Sequence, residues 1–154
     1  LLVADSTPFK INISELSRKS GLSRDVLLKM LNVLDRAHLV KMLHQSGAPT
    51  GHLTKPDKLY LHNSVLYHAL QTNDLQPVGA IREIFFANQL EARHKVNSHS
   101  TADFRVDDKY IFEVGGKNKT GEQIKGQKNA YLAVDRIDLG ARNRIPLWLF
   151  GFLY

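Results

Sequence analysis

The 154-residue sequence contains no cysteine, which excludes a disulfide framework and suits a reducing, cytoplasmic compartment. It has no run of about 18 apolar residues, so no helix in it is expected to span a membrane. A signal-peptide pattern is also missing. Five of its seven histidines fall at positions 38, 44, 52, 62 and 68, a spacing that matches no compact metal-ligand motif and reads as solvated loop. A phosphate loop is absent too: GGKNKT at 115–120 looks like one, but Asn118 stands where the Walker A motif needs Gly before Lys119-Thr120. No ATP site is expected within these residues.

Hydrophobic residues make up 43% of the chain and charged residues 23%, a balance that folds rather than one that stays disordered. The length suits one ordinary domain or two small ones. A net charge of +6 and a pI near 9.6 fit a polyanionic partner such as DNA. Residues 1–62 carry nine Lys/Arg against five Asp/Glu, and residues 63–154 carry twelve against ten. The excess charge is therefore concentrated in the first part.

Asn12 with Glu15 three residues on has capping-box spacing, and Gly21 suits a helix C-terminus, which predicts a helix over 13–20. Ser23 caps a second helix to about Ala37, with Val26, Leu27, Met30, Leu31 and Leu34 inside and Arg24, Lys29, Asn32 and Arg36 outside. Strands are expected at 39–43 and 58–62, with a Gly/Pro/Thr-rich loop between them. The order resembles a winged helix-turn-helix domain, whose second helix would present Arg24, Lys29, Asn32 and Arg36 to DNA. Asp25 and Asp35 on the same helix oppose that reading. Winged helices also serve as protein-interaction modules.

A connecting helix over 63–71 and a linker over 73–78 separate this part from the rest. The segment 79–93 predicts a helix in which Glu83 shares a face with Ala80, Ala87 and Leu90. A carboxylate on an apolar face needs a salt-bridge partner or a cation. Residues 95–101 read as loop, 121–129 as a helix with Gln123 and Gln127 one turn apart, 131–134 as a strand and 145–154 as a last buried segment.

The stretch 102–120, ADFRVDDKYIFEVGGKNKT, carries most of the chemistry. Asp103, Glu113 and a nearby Lys on a hairpin form the set a metal-dependent phosphodiesterase uses: carboxylates hold a hard divalent cation and a lysine stabilises phosphate charge. A three-residue loop at 107–109 pairs Val106 with Tyr110 and Phe104 with Phe112, and sets Asp103 opposite Glu113. That register gathers Phe104, Val106, Tyr110, Phe112 and Val114 on one face, leaving Asp103, Arg105, Ile111 and Glu113 on the other. A half-exposed hairpin with solvated charges is the competing reading.

PDKLYLHNSVLYHAL, GAIREIFFANQL, ADF…IFEVGGKNKT and IPLWLFGFLY follow the first two helices in this order. The whole resembles the C-terminal region of a family of prokaryotic AAA+ ATPases. There an ATPase core precedes a winged helix and a domain of unknown function similar to PD-(D/E)XK nucleases. The resemblance implies an α/β (α+β) protein: a winged-helix domain over 1–62, a connecting helix and linker over 63–78, and a restriction-endonuclease-like mixed sheet over 79–154. The chain, which begins with Leu, is then expected to be a piece of a longer protein with the ATPase core upstream. Glu83, Asp103 and Glu113 match the three acids of the nuclease-like fold and would hold Mg²⁺ or Mn²⁺.

Nuclease members usually carry Lys two residues after the second strand's acid, where this chain has Gly115, so Lys117 is expected to take that part by reaching back across two glycines. Gln123 and Gln127 lie near a position where some relatives carry a motif Gln. Weak or absent nuclease activity follows, with DNA, the upstream ATPase core and further copies of the chain in a homo-oligomer as partners. The alternatives are a catalytically silent interaction module that positions the ATPase, and a winged-helix transcription regulator whose second half senses a ligand.

Overall fold

The computed structural model describes residues 12–49, 51, 53–70 and 77–153. The protein is mixed α+β and divides into two compact units, residues 1–77 and 78–154. Of the linker expected at 73–78, residues 73–76 lie outside the described residues and Val78 begins a helix. No helix among the described residues is long and apolar enough to cross a membrane.

The first unit begins with helix α1 (Ile13–Ser20), capped by the Asn12 side chain, which accepts from the Glu15 amide at 3.1 Å. Gly21 ends it in the left-handed region with φ 70°, where a side chain would be strained. Ser23 then caps helix α2 (Arg24–Arg36) through the Val26 amide. Ile13, Leu27, Leu28, Leu31, Val40 and Leu59 form the core, with Leu16, Leu22, Leu34 and Met42 packed around it.

The inward face of α2 thus differs from the expected one. Leu28 is core, whereas Val26, Met30 and Val33 are 51%, 42% and 62% exposed. Seven of the thirteen helix residues are apolar and spread over a wider arc than one buried face, so packing against β1 chooses which of them go inside.

Strands β1 (Val40–Leu43) and β2 (Lys58–Leu61) pair antiparallel. His38 and His62 meet beside them with ring nitrogens 3.0 Å apart, so two of the scattered histidines do become partners. Helix α3 (Ser64–Leu70) follows, its first turn bonded by the Asn63 side chain. It packs on β2, and the buried Tyr67 hydroxyl accepts from the Leu61 amide.

The second unit opens with helix α4 (Val78–Glu91) and contains a five-stranded mixed sheet in the order β3-β4-β5-β6-β7. Its strands are β3 (Val96–Ser98), β4 (Phe104–Val106), β5 (Tyr110–Gly115), β6 (Ala130–Val134) and β7 (Arg144–Pro146). The first three run antiparallel, while β5–β6 and β6–β7 are parallel. Phe104 pairs with Phe112, Arg105 with Ile111 and Val106 with Tyr110, the register that the face sorting predicts. Asp107 and Asp108 take φ of 51° and 56° in the turn, a region that Asp tolerates better than most residues. The Asp107 carboxylate fixes the turn by accepting from the Lys95 amide and pairing with His94.

On one face of the sheet Phe86 of α4 stacks among Phe104, Phe112 and Phe150. The other face holds Ala102, Ile111, Ile124, Leu132 and Val134.

Three sequence expectations are corrected here. Residues 96–98 are a strand, not loop, because pairing with β4 overrides their polarity. The helix expected over 121–129 is a single 3-10 turn (Glu122–Ile124), bounded by Gly121 and Gly126, both at positive φ. The last segment is β7 and a 3-10 turn (Leu147–Phe152) that buries Leu147 and Phe150 but exposes Trp148 and Phe152.

Candidate active site

Glu113 lies in the centre of β5, 1% exposed, on the face shared with Ile111. A charge so placed costs several kcal/mol unless it is paired and hydrogen-bonded. Lys119 supplies the pair, its Nζ lying 2.5 Å from Glu113 Oε1. The Gln123 carboxamide, oriented to donate, reaches both carboxylate oxygens, with Oε2 at 3.0 Å. Gln127 steadies that turn by donating to the Gln123 carbonyl at 3.0 Å.

The lysine that reaches Glu113 is therefore Lys119 and not the expected Lys117. Strand β5 ends at Gly115, and a tight turn closes with the Lys119 amide donating to the Gly116 carbonyl at 2.9 Å. Arg144 holds this turn by donating to the carbonyls of Lys117 and Lys119, each at 2.9 Å. The Lys119 side chain then runs back over Gly115. A Cβ on residue 115 would meet Lys119 Cδ, Cγ and Cβ at 2.8, 2.8 and 2.9 Å. The space that a side chain at 115 would fill is thus taken by the stem of Lys119, which delivers an ammonium group to Glu113 from four residues further on. Lys117 instead lines a neighbouring cavity.

Asp103 is buried and bonds on both sides of Glu113: its amide donates to the Phe112 carbonyl at 3.1 Å, and its Oδ2 accepts from the Val114 amide at 2.9 Å. The carboxylate thereby continues the β4–β5 ladder beyond Phe104. Glu83 is also buried, but it comes from α4, the helix packed on the Phe104–Phe112 face of the sheet, whereas Glu113 lies on the Ile111 face. Among the described residues no three His, Asp or Glu side chains gather closely enough to enclose a metal ion. Asp103 and Glu113 remain a hard-oxygen pair of the kind that holds Mg²⁺ together with substrate phosphate oxygens.

Just upstream of Asp103, His99 Nδ1 accepts from the amides of Thr101 and Ala102 at 3.3 and 3.1 Å. Its pKa is held below the ordinary His value, first by burial and then by the charge of Arg105. The neutral ring is the folded form, so the unfolded chain takes up a proton that the folded one refuses. Stability from this group is full above the ordinary His value of about 6.5 and is lost as pH falls through the lower folded pKa. An NMR titration of the ring should place its midpoint below the ordinary value. A midpoint at or above it would show that the ring is not held half-buried beside Arg105.

On α2, Lys29, Asn32 and Arg36 share one side, and Arg24 lies about 80° around the helix from Asn32. Asn32 donates to the Leu28 carbonyl, and Asp35 accepts from the Met42 amide. Asp35 is thus engaged within the fold.

Lys119 is the residue of this cluster that the sequence reading passes over in favour of Lys117. The usable signal was a glycine in place of a lysine, followed by a turn and a second lysine. No protein-family model, curated protein or solved structure matches this chain.

Proposed function

We propose that residues 78–154 form a nuclease-like domain directed at nucleic-acid phosphodiesters and that residues 1–77 form a winged-helix domain. Together they would be the C-terminal, DNA-associated region of a prokaryotic AAA+ ATPase. The observation that carries this reading is the Glu113–Lys119 pair formed through the space left by Gly115. It restores an acid–lysine couple where the strand pattern lacks one.

In this reading Asp103 and Glu113 would hold Mg²⁺ or Mn²⁺ together with substrate phosphate oxygens, and Glu83, on the helix packed against the other face of the sheet, stays outside the set. The ion, when bound, supplies Lewis acidity and an activated water. Lys119 neutralises charge that develops on the phosphate, and Gln123 keeps Glu113 oriented. Glu113 is already engaged by Lys119 and Gln123, so a cation competes with an internal ion pair and turnover is slow.

Labelled single- and double-stranded DNA incubated with Mn²⁺ should be cleaved weakly by the parent chain. Glu113→Gln and Lys119→Gln should each lower the rate at saturating DNA by about 100-fold, the scale of losing one charge-stabilising group, and Lys117→Gln should lower it far less. Loss in Lys117→Gln but not Lys119→Gln would remove Lys119 from the role.

A second reading, a silent protein-interaction module, is favoured by the exposed stripe Val26–Met30–Val33 on α2. DNA binding that is insensitive to salt and to Arg24, Lys29 and Arg36→Ala would support it, because phosphate contacts release counterions and are salt-dependent.

A further inference from the structure

Beside the Glu113–Lys119 pair lies an open cavity of about 440 Å³ lined by Arg82, Gly116, Lys117, Asn118, Lys119 and Arg136. Four of these six residues are cationic. The acids within reach are Asp135, which pairs with Arg82 and more loosely with Arg136, and Glu113, which pairs with Lys119. Among the described residues these two acids offset two of the four cations, which leaves an excess of two positive charges. Among the described residues no carboxylate pairs with Lys117.

The cavity is built from fixed parts. Arg82 spends its Nε on Asp135 Oδ2 at 2.9 Å, which leaves its terminal nitrogens turned toward Gly116. A Cβ on residue 116 would stand 3.3, 3.3 and 3.4 Å from Nη1, Nη2 and Cζ, so the guanidinium lies largely face-on to Gly116, and glycine leaves it room to line the cavity. Asp135 is itself anchored, its amide donating to the Gly115 carbonyl at 2.8 Å. Arg144 pins the opposite wall through the carbonyls of Lys117 and Lys119. A planar guanidinium with flanking ammonium groups is the donor set that binds phosphate, and two surplus charges match a phosphomonoester dianion better than a singly charged phosphodiester.

We propose that this cavity binds the terminal phosphate of a nucleic-acid strand, seating the strand end next to Glu113 and Asp103. The identity of the ligand rests on the nucleic-acid reading of the site, but binding here needs neither metal nor turnover.

The test uses the full chain in EDTA and fluorescence anisotropy with single strands of one sequence, bearing a 5′-phosphate, a 3′-phosphate or hydroxyl ends. One of the phosphorylated strands should bind about tenfold more tightly than the hydroxyl strand, the scale of one or two charge-assisted hydrogen bonds. Lys117→Gln and Arg136→Gln, both exposed and outside the core, should abolish that preference while circular dichroism stays unchanged. Equal binding of all three strands would overturn the proposal. Competition by inorganic phosphate that depends on Lys117, without preference for a strand end, would overturn the strand assignment and leave a small phosphate ester as the ligand. Failure to cleave DNA while the preference stands would remove the hydrolytic reading alone. Cleavage without the preference would remove this proposal alone.

Discussion

Replacing Gly115 by alanine should separate Lys119 from Glu113 and lower the melting temperature of the second unit by roughly 10 °C. The added methyl would sit 2.8–2.9 Å from three carbons of the Lys119 stem, including its Cβ, so rotation of the lysine's far end does not relieve the contact. Once Lys119 is displaced, Glu113 stays buried without this ammonium partner. Removing one partner of a buried pair costs about 3–5 kcal/mol. Lys119 is 35% exposed, so solvent screening lowers the expected loss to about 2 kcal/mol. For a domain of this size that corresponds to roughly 8–16 °C.

The double variant Gly115→Lys with Lys119→Gly tests the geometry directly, because it returns the ammonium group to the strand and clears the whole stem, Cβ included, from the space. It should recover most of the stability that Gly115→Ala loses, and in the Mn²⁺ cleavage assay it should equal or exceed the parent. Gly115→Ala with unchanged melting and unchanged cleavage would show that the Lys119 stem does not occupy this space in solution.

Phe86→Ala is expected to cost more, about 3–5 kcal/mol, a large share of the roughly 5–15 kcal/mol by which domains are stable. Phe86 is fully buried, and its ring lies 5.2, 4.9 and 4.7 Å from those of Phe104, Phe112 and Phe150. It joins α4 to the two hairpin strands and to the terminal 3-10 turn, so its loss opens a cavity at the meeting point of three elements. Denaturant unfolding of the full chain should show the second unit's midpoint shifted far down. Phe86→Leu, which refills part of the volume, should recover about half of the loss. A loss below about 1 kcal/mol would mean that this aromatic cluster is not the core of the unit.

The two predictions probe opposite faces of one strand. Phe112 faces the aromatic cluster, and Glu113 beside it faces Lys119 and Gln123. Strand alternation lets a six-residue β5 serve both the core and the site. The buried acid is tolerable because its donors come from the turns on either side of Gly121, which hold their positions through Arg144 and Gln127.

Local chemistry was enough for several features. The caps of α1 and α2 are short-range hydrogen bonds between neighbours, so Asn12, Gly21 and Ser23 announce them in the sequence. The hairpin register could also be read, because only a three-residue loop sorts its aromatics from its charges and a one-residue slip would reverse every side chain. Burial of Glu83 on the face of Ala80, Ala87 and Leu90 follows from helical spacing in the same way.

The rest is non-local and only the tertiary structure decided it. Residues 96–98 become a strand because an edge partner exists, and α2 buries Leu28 rather than Met30 because β1 lies on that side. The choice of Lys119 over Lys117 needed the path of the chain after Gly115. Periodicity gives the face of a continuing strand but not the return angle of a turn, and that angle is fixed here by Arg144, 25 residues further along the chain from Lys119.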